Sequence, residues 1–212
     1  MYKYKAVLFD LDGTLLNTSF DLAEALNYAL NKNGYPTYST ERVVQMVGHG
    51  IPNLIKTATN APEDVLLKIR GDFREFYREH LTDKTLPYDG IVDLLTDLNK
   101  NGVKTAVVSN KYDLASKILI ETFFGGLIDY VVGEHGCPVK PDPYMCDLAI
   151  KTLGVDKSAC VFVGDADTDI NTALNAKIDC ISVTWGFRSR EFLISNGAKN
   201  LVDSVLELQF KL

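Results

Sequence analysis

The stretch Ala6-Val7-Leu8-Phe9-Asp10-Leu11-Asp12-Gly13-Thr14 decides how the rest of the chain is read. Four apolar residues without polar alternation read as a strand buried on both faces, the pattern of a parallel sheet. That strand runs straight into two carboxylates and an Asp-Gly turn. Comparable runs recur at Thr105–Val108, Tyr130–Val132, Cys160–Val163 and Cys180–Val183. Between them lie segments with helical spacing: Ile91, Leu94, Leu95 and Leu98 lead to Gly102, and Tyr144, Leu148 and Leu153 lead to Gly154. Strand alternating with helix predicts an α/β protein, a doubly wound parallel sheet of Rossmann-like type.

From Asn17 to Leu81 the strand-like runs vanish. Leu22, Leu26, Ala29 and Leu30 form one helical stripe, Val43 and Val47 belong to a second, and Leu66, Ile69, Phe73 and Phe76 form another after Pro62. The expected organisation is an α/β core of residues 1–16 and 82–212, with a helical domain of residues 17–81 inserted after the first strand.

Composition narrows the function. The chain has 212 residues, with 22 Lys+Arg against 28 Asp+Glu and a net charge of −6. That balance argues against nucleic-acid binding, which depends on clustered cations. No apolar run approaches the roughly 20 residues of a membrane helix, and Asp10 interrupts any signal-peptide core, so a cytoplasmic protein is expected. Cys137, Cys146, Cys160 and Cys180 include no C-x-x-C pair, and His135 with Cys137 cannot complete a zinc site, which leaves reduced thiols.

In an open parallel sheet, ligands bind beyond the carboxyl ends of the strands. Here those ends carry Asp10 and Asp12, then Ser109-Asn110-Lys111, then Asp165, Asp167 and Asp169, with Lys140-Pro141-Asp142-Pro143 in a further loop. Crowded carboxylates repel unless a cation sits among them, and oxygen ligands without His or Cys select a hard ion such as Mg²⁺. Ser109 and Lys140 can donate to phosphate oxygens, so the set suits phosphoryl transfer. Asp142 and Asp167 read as capping or solvated groups, Lys111 as a solvated lysine, and Arg70, Arg74 and Arg78 as a solvated helix face.

The motifs Asp10-Leu11-Asp12-Gly13-Thr14-Leu15, Ser109-Asn110, Lys140-Pro141 and Gly164-Asp165-x-x-x-Asp169 resemble, in order, the four motifs of the haloacid dehalogenase superfamily of phosphatases. The resemblance spans the chain, and residues 17–81 look like that superfamily's alpha-helical cap. Met46-Val47-Gly48-His49-Gly50, Lys140-Pro141-Asp142-Pro143 and Thr184-Trp185-Gly186-Phe187-Arg188 are most similar to the phosphoglycolate phosphatase group, although Asn17 stands where relatives frequently carry Asp.

The resemblance implies Mg²⁺-dependent hydrolysis of a small phosphorylated metabolite by a monomer or homodimer. By it Asp10 is the nucleophile and forms an aspartyl-phosphate, and Asp12 is the general acid and base, with its backbone carbonyl on the metal. Asp165 is a further metal ligand, and Asp169 binds directly, through water, or orients Asp165. Ser109, Asn110 and Lys140 face the phosphate, Thr14 donates to it or locks the loop, and His49 between two glycines is the candidate for reading the rest of the substrate. A sugar phosphomutase would share every catalytic residue, with Thr14 favouring the phosphatases. Nucleoside monophosphates and pyrophosphate are alternative substrates.

Overall fold

In the computed structural model, which describes residues 2–212, the chain divides into two compact units, Met1–Leu16 with Pro87–Leu212, and Asn17–Leu86. The chain passes between them at the two-residue strands β2 (Leu16–Asn17) and β3 (Leu86–Pro87). The first unit opens with β1 (Ala6–Phe9). The second holds α1 (Ser19–Lys32), α2 (Thr40–Met46), α3 (Ile51–Thr59) and α4 (Glu63–Glu79). After β3 follow α5 (Ile91–Lys100), β4 (Lys104–Tyr112), α6 (Asp113–Phe124), β5 (Tyr130–Glu134) and α7 (Tyr144–Leu153). The chain then forms β6 (Cys160–Gly164), α8 (Asp167–Ala176), β7 (Asp179–Val183), α9 (Arg190–Ser195), β8 (Leu201–Val202) and α10 (Val205–Lys211).

The sheet order is β5-β4-β1-β6-β7-β8, and every pairing is parallel. The chain builds outward from β1 on one side, then returns to build the other, which makes the sheet doubly wound with its switch point at β1. Ala6, Leu8, Ala106, Val108, Cys160 and Phe162 alternate onto one face and pack with Met145, Cys146, Ala149 and Ile150 of α7 and Ala173 and Ala176 of α8. Complete burial of a large apolar side chain stabilises by roughly 1.5–3 kcal/mol, so this layer contributes heavily to holding the strand ends in place. All four cysteines are free thiols. Among the described residues no helix is long and apolar enough to cross a membrane.

In the helical unit, Leu22, Leu26, Ala29 and Leu30 of α1 and Ile69 and Phe73 of α4 are buried as their spacing predicts, whereas Leu66 and Phe76 are half-buried and Tyr77, outside the predicted stripe, is buried instead. Asp72 accepts from Asn33 at 2.7 Å and pairs with Lys32 at 2.7 Å, which ties α4 to the end of α1. Tyr28, Phe76 and His80 stack in sequence, with ring centroids 4.4 and 4.1 Å apart. The unit extends past Leu81 because buried Asp21 accepts from the Lys84 amide at 3.0 Å and from the amide and hydroxyl of Thr85 at 2.9 and 2.7 Å.

Candidate active site

The carboxyl ends of β1, β4 and β6 converge. Asp10 leaves β1 with its amide donating to the Val163 carbonyl at 2.9 Å, and the chain then turns sharply, Gly13 donating back to Leu16 at 2.9 Å. Gly13 has φ +85°, and a Cβ there would collide with the Asp165 carboxylate, so conformation and space both demand glycine. After β6, Asp165 accepts from the Thr14 hydroxyl at 3.2 Å and from the Phe187 amide at 2.6 Å. Asp169, three residues into α8, accepts from the Ala166 amide at 3.0 Å and so caps its own helix.

Carboxylate oxygens of Asp10, Asp165 and Asp169 all lie within 4.8 Å of one another, and all three residues are buried. Lys140, its side chain 1% exposed, donates to Asp10 and Asp169 at 2.7 Å each. Burial, foremost, pushes the Asp10 carboxyl up to about 7, with Asp169 and Asp12 adding to the rise and Lys140 opposing it. Burial likewise lifts Asp165 well above the usual carboxylate range, reinforced by Asp169 and Asp10 and opposed by the Phe187 amide and Arg188. Burial disfavours the Lys140 ammonium, but Asp10 and Asp169 overcome it and its pKa is raised. Three buried carboxylates against one ammonium leave negative charge uncompensated. An all-oxygen donor set of this kind fits a hard divalent cation.

Ser109, Asn110 and Lys111 are consecutive in β4 and all buried. A strand normally alternates its faces, but the pairing of β4 with β5 shifts register between Val108 and Tyr112, and such irregularities re-aim side chains. Ser109 Oγ accepts from the Lys111 amide at 3.2 Å. The Asn110 side chain makes a reciprocal pair with the Lys140 backbone, donating to its carbonyl at 3.0 Å and accepting from its amide at 2.7 Å.

One expectation needs correction. Lys111 is not solvated: its side chain is 2% exposed, and its ammonium lies 2.9 and 3.2 Å from the two carboxylate oxygens of Asp12. The Asp12 carboxylate stands outside the trio of Asp10, Asp165 and Asp169. The Asn110 side chain holds the Lys140 backbone, and the Thr14 hydroxyl donates to Asp165. The loop after β7 also belongs to the site: Trp185 Nε1 donates to the Thr14 carbonyl at 3.1 Å beside the Phe187 contact. A glycine between two aromatics at a strand end was the available signal for that loop. Tyr88 is tied to the turn after β1 by its amide, which donates to the Leu15 carbonyl at 3.1 Å, and burial foremost, then Asp165 and Asp12, raises its phenol. Asp142 accepts from the Tyr144 amide at 2.8 Å at the start of α7, a capping contact. His49 lies in the helical unit, between α2 and α3, where Gly48 and Gly50 have φ +124° and +80°.

The sequence model of the haloacid dehalogenase-like hydrolase family matches residues 7–183. A phosphoglycolate phosphatase of Mesorhizobium japonicum is 32% identical over 87% of this chain and 84% of its own length. An N-acetylmuramic acid 6-phosphate phosphatase of Pseudomonas aeruginosa is 32% identical over 97% of this chain and 93% of its own. The crystal structure of a candidate phosphoglycolate phosphatase from Lactobacillus delbrueckii subsp. bulgaricus superposes with a TM-score of 0.92 at 37% identity, covering 98% of each chain.

Proposed function

The chain belongs to the haloacid dehalogenase-like hydrolases, and we propose from that premise that it hydrolyses a small phosphate monoester resembling phosphoglycolate through an aspartyl-phosphate on Asp10. The observation that carries this reading is the meeting of Asp10, Asp165, Asp169 and Lys140 in one buried cluster. Relatives named phosphoglycolate phosphatase at 30% and 32% identity support the substrate class.

In the first step an Asp10 oxygen attacks phosphorus and the ester P–O bond breaks. Asp12 delivers a proton to the departing alkoxide. In the second step Asp12 takes a proton from water, whose oxygen attacks the phosphoryl group and releases phosphate and the Asp10 carboxylate. Lys140, held by Asp10, Asp169 and Asn110, presents a fixed positive charge to the phosphoryl oxygens. Ser109 donates to the same oxygens. Asp10, Asp165, Asp169 and the Asp12 carbonyl would hold a Mg²⁺ ion, which would supply the charge neutralisation that this carboxylate cluster lacks. His49 is the helical unit's contribution to substrate choice. Free thiols accord with a cytoplasmic enzyme, working as a monomer or homodimer.

The test is a hydrolysis panel of phosphoglycolate, sugar phosphates, nucleoside monophosphates and pyrophosphate with Mg²⁺. Phosphoglycolate should lead, exhaustive chelation should abolish turnover, and Asp10→Asn should be inert while folded. Full activity after chelation, or in Asp10→Asn, would overturn the mechanism. The muramic acid relative makes a sugar phosphate the second reading, and the same panel separates the two.

A further inference from the structure

Two buried lysines serve this site, and they serve different carboxylates. Lys140 contacts Asp10 and Asp169 at 2.7 Å. Lys111 lies against Asp12, 2.9 and 3.2 Å from its two oxygens. A lysine is seldom buried this fully, and the phosphoryl group already has Lys140 beside the attacking oxygen. With Asp12 as the acid of the proposed reaction, the ammonium paired with it belongs to the leaving-group side.

We propose that Lys111 reads a carboxylate on the alcohol half of the substrate, adjacent to the ester carbon, and so makes the α/β core itself a determinant of which ester is cleaved. This inference rests on the phosphatase reading and on Asp12 as the acid. Asp12 reaches the ester oxygen over a hydrogen bond of about 2.7 Å, which added to 2.9 Å sets that oxygen within roughly 6 Å of Lys111 Nζ. In a glycolate ester the carboxylate oxygens lie roughly 3 Å from the ester oxygen by ordinary bond lengths. The remaining span of about 3 Å is one charge-assisted hydrogen bond. The ammonium bridges Asp12 and the substrate carboxylate, and it orients the leaving oxygen toward its acid. An alkyl ester without the carboxylate has nothing to place there.

The experiment compares phosphoglycolate with ethyl phosphate, which needs the same acid but lacks the carboxylate, in wild type, Lys111→Met and Lys111→Arg. Wild type should prefer phosphoglycolate in kcat/KM. Lys111→Met should lose about 10–100-fold more on phosphoglycolate than on ethyl phosphate, the value of one hydrogen bond to a charged group. Lys111→Arg should restore part of the preference. Inhibition supplies a readout that survives a poorly folding variant: wild type should bind 3-phosphonopropionate at least about tenfold tighter than propylphosphonate. Equal losses on the two esters, or equal inhibition by the two phosphonates, would overturn the proposal. Wild type cleaving both esters equally would defeat it and leave the phosphatase reading standing, whereas cleavage of no monoester would defeat both.

Discussion

Replacing Lys140 by Met keeps the length of the side chain and removes its charge. The ammonium it removes lies 2.7 Å from both Asp10 and Asp169, with its own side chain 1% exposed and theirs 12% and 0%. Deleting one partner of a buried ionic network typically costs about 3–5 kcal/mol, because the remaining charges stay desolvated and unpaired. Here two carboxylates are stranded, and Asp165 adds a third within 4.8 Å. At about 2–4 °C per kcal/mol for a chain of this size, the melting temperature in metal-free buffer should fall by roughly 6–20 °C. Thermal melts with and without Mg²⁺ measure it. Since the divalent ion replaces the missing positive charge, Mg²⁺ should raise the melting temperature of the variant more than that of wild type. A metal-free loss below about 1 kcal/mol, or an equal response to Mg²⁺ in both proteins, would refute the account of Lys140 as the counter-charge of the carboxylate cluster.

Three more outcomes are expected. Because the folded state holds a proton on Asp10 up to about pH 7 that the unfolded chain has already released, this group makes stability fall as pH rises from about 4 to 7. Metal-free urea titrations of Asp10→Asn should show a shallower decline over that window, and an unchanged slope would reject the shift. Gly13→Ala forces a Cβ against the Asp165 carboxylate at φ +85°, so kcat should drop at least about 100-fold, with about 1–2 kcal/mol lost from the left-handed conformation. Wild-type turnover in that variant would show that the loop relaxes freely. In the helical unit, Asp21→Asn offers an NH₂ where the Lys84 and Thr85 donors need an acceptor, and denaturant unfolding should show a loss of about 1.5–3 kcal/mol.

The long buried strands β1, β4, β6 and β7 and the amphipathic helices are legible in the sequence because burial writes a period into it. β2, β3 and β8 are two residues each, too short to carry any period. Asp10 and Asp165 stand out as charged residues at the ends of apolar runs, Lys140 beside a proline-fixed loop and Asp169 by its spacing from Asp165, and the fold brings them together. Lys111 does not stand out, because its burial depends on a register irregularity in β4 that alternation cannot foretell. The reciprocal grip of Asn110 on the Lys140 backbone is equally hidden, since it joins β4 to a loop 30 residues further on. The reach of the helical unit beyond Leu81 turns on Asp21 capturing the Lys84 and Thr85 amides, a contact 63 or 64 residues long in sequence.

The pairing of β1 with both neighbours in step, Ala6 level with Lys104 on one side and Cys160 on the other, makes turnover a gauge of assembly. A slip of one residue in either neighbour turns its side chains to the opposite face. Asp165 or Ser109 would then face away from Asp10 in a chain that still has its helices and its compactness. Circular dichroism would pass such a mispaired species as native. The rate of phosphate release reports the strand alignment, so recovered activity is the stricter measure of refolding for this protein.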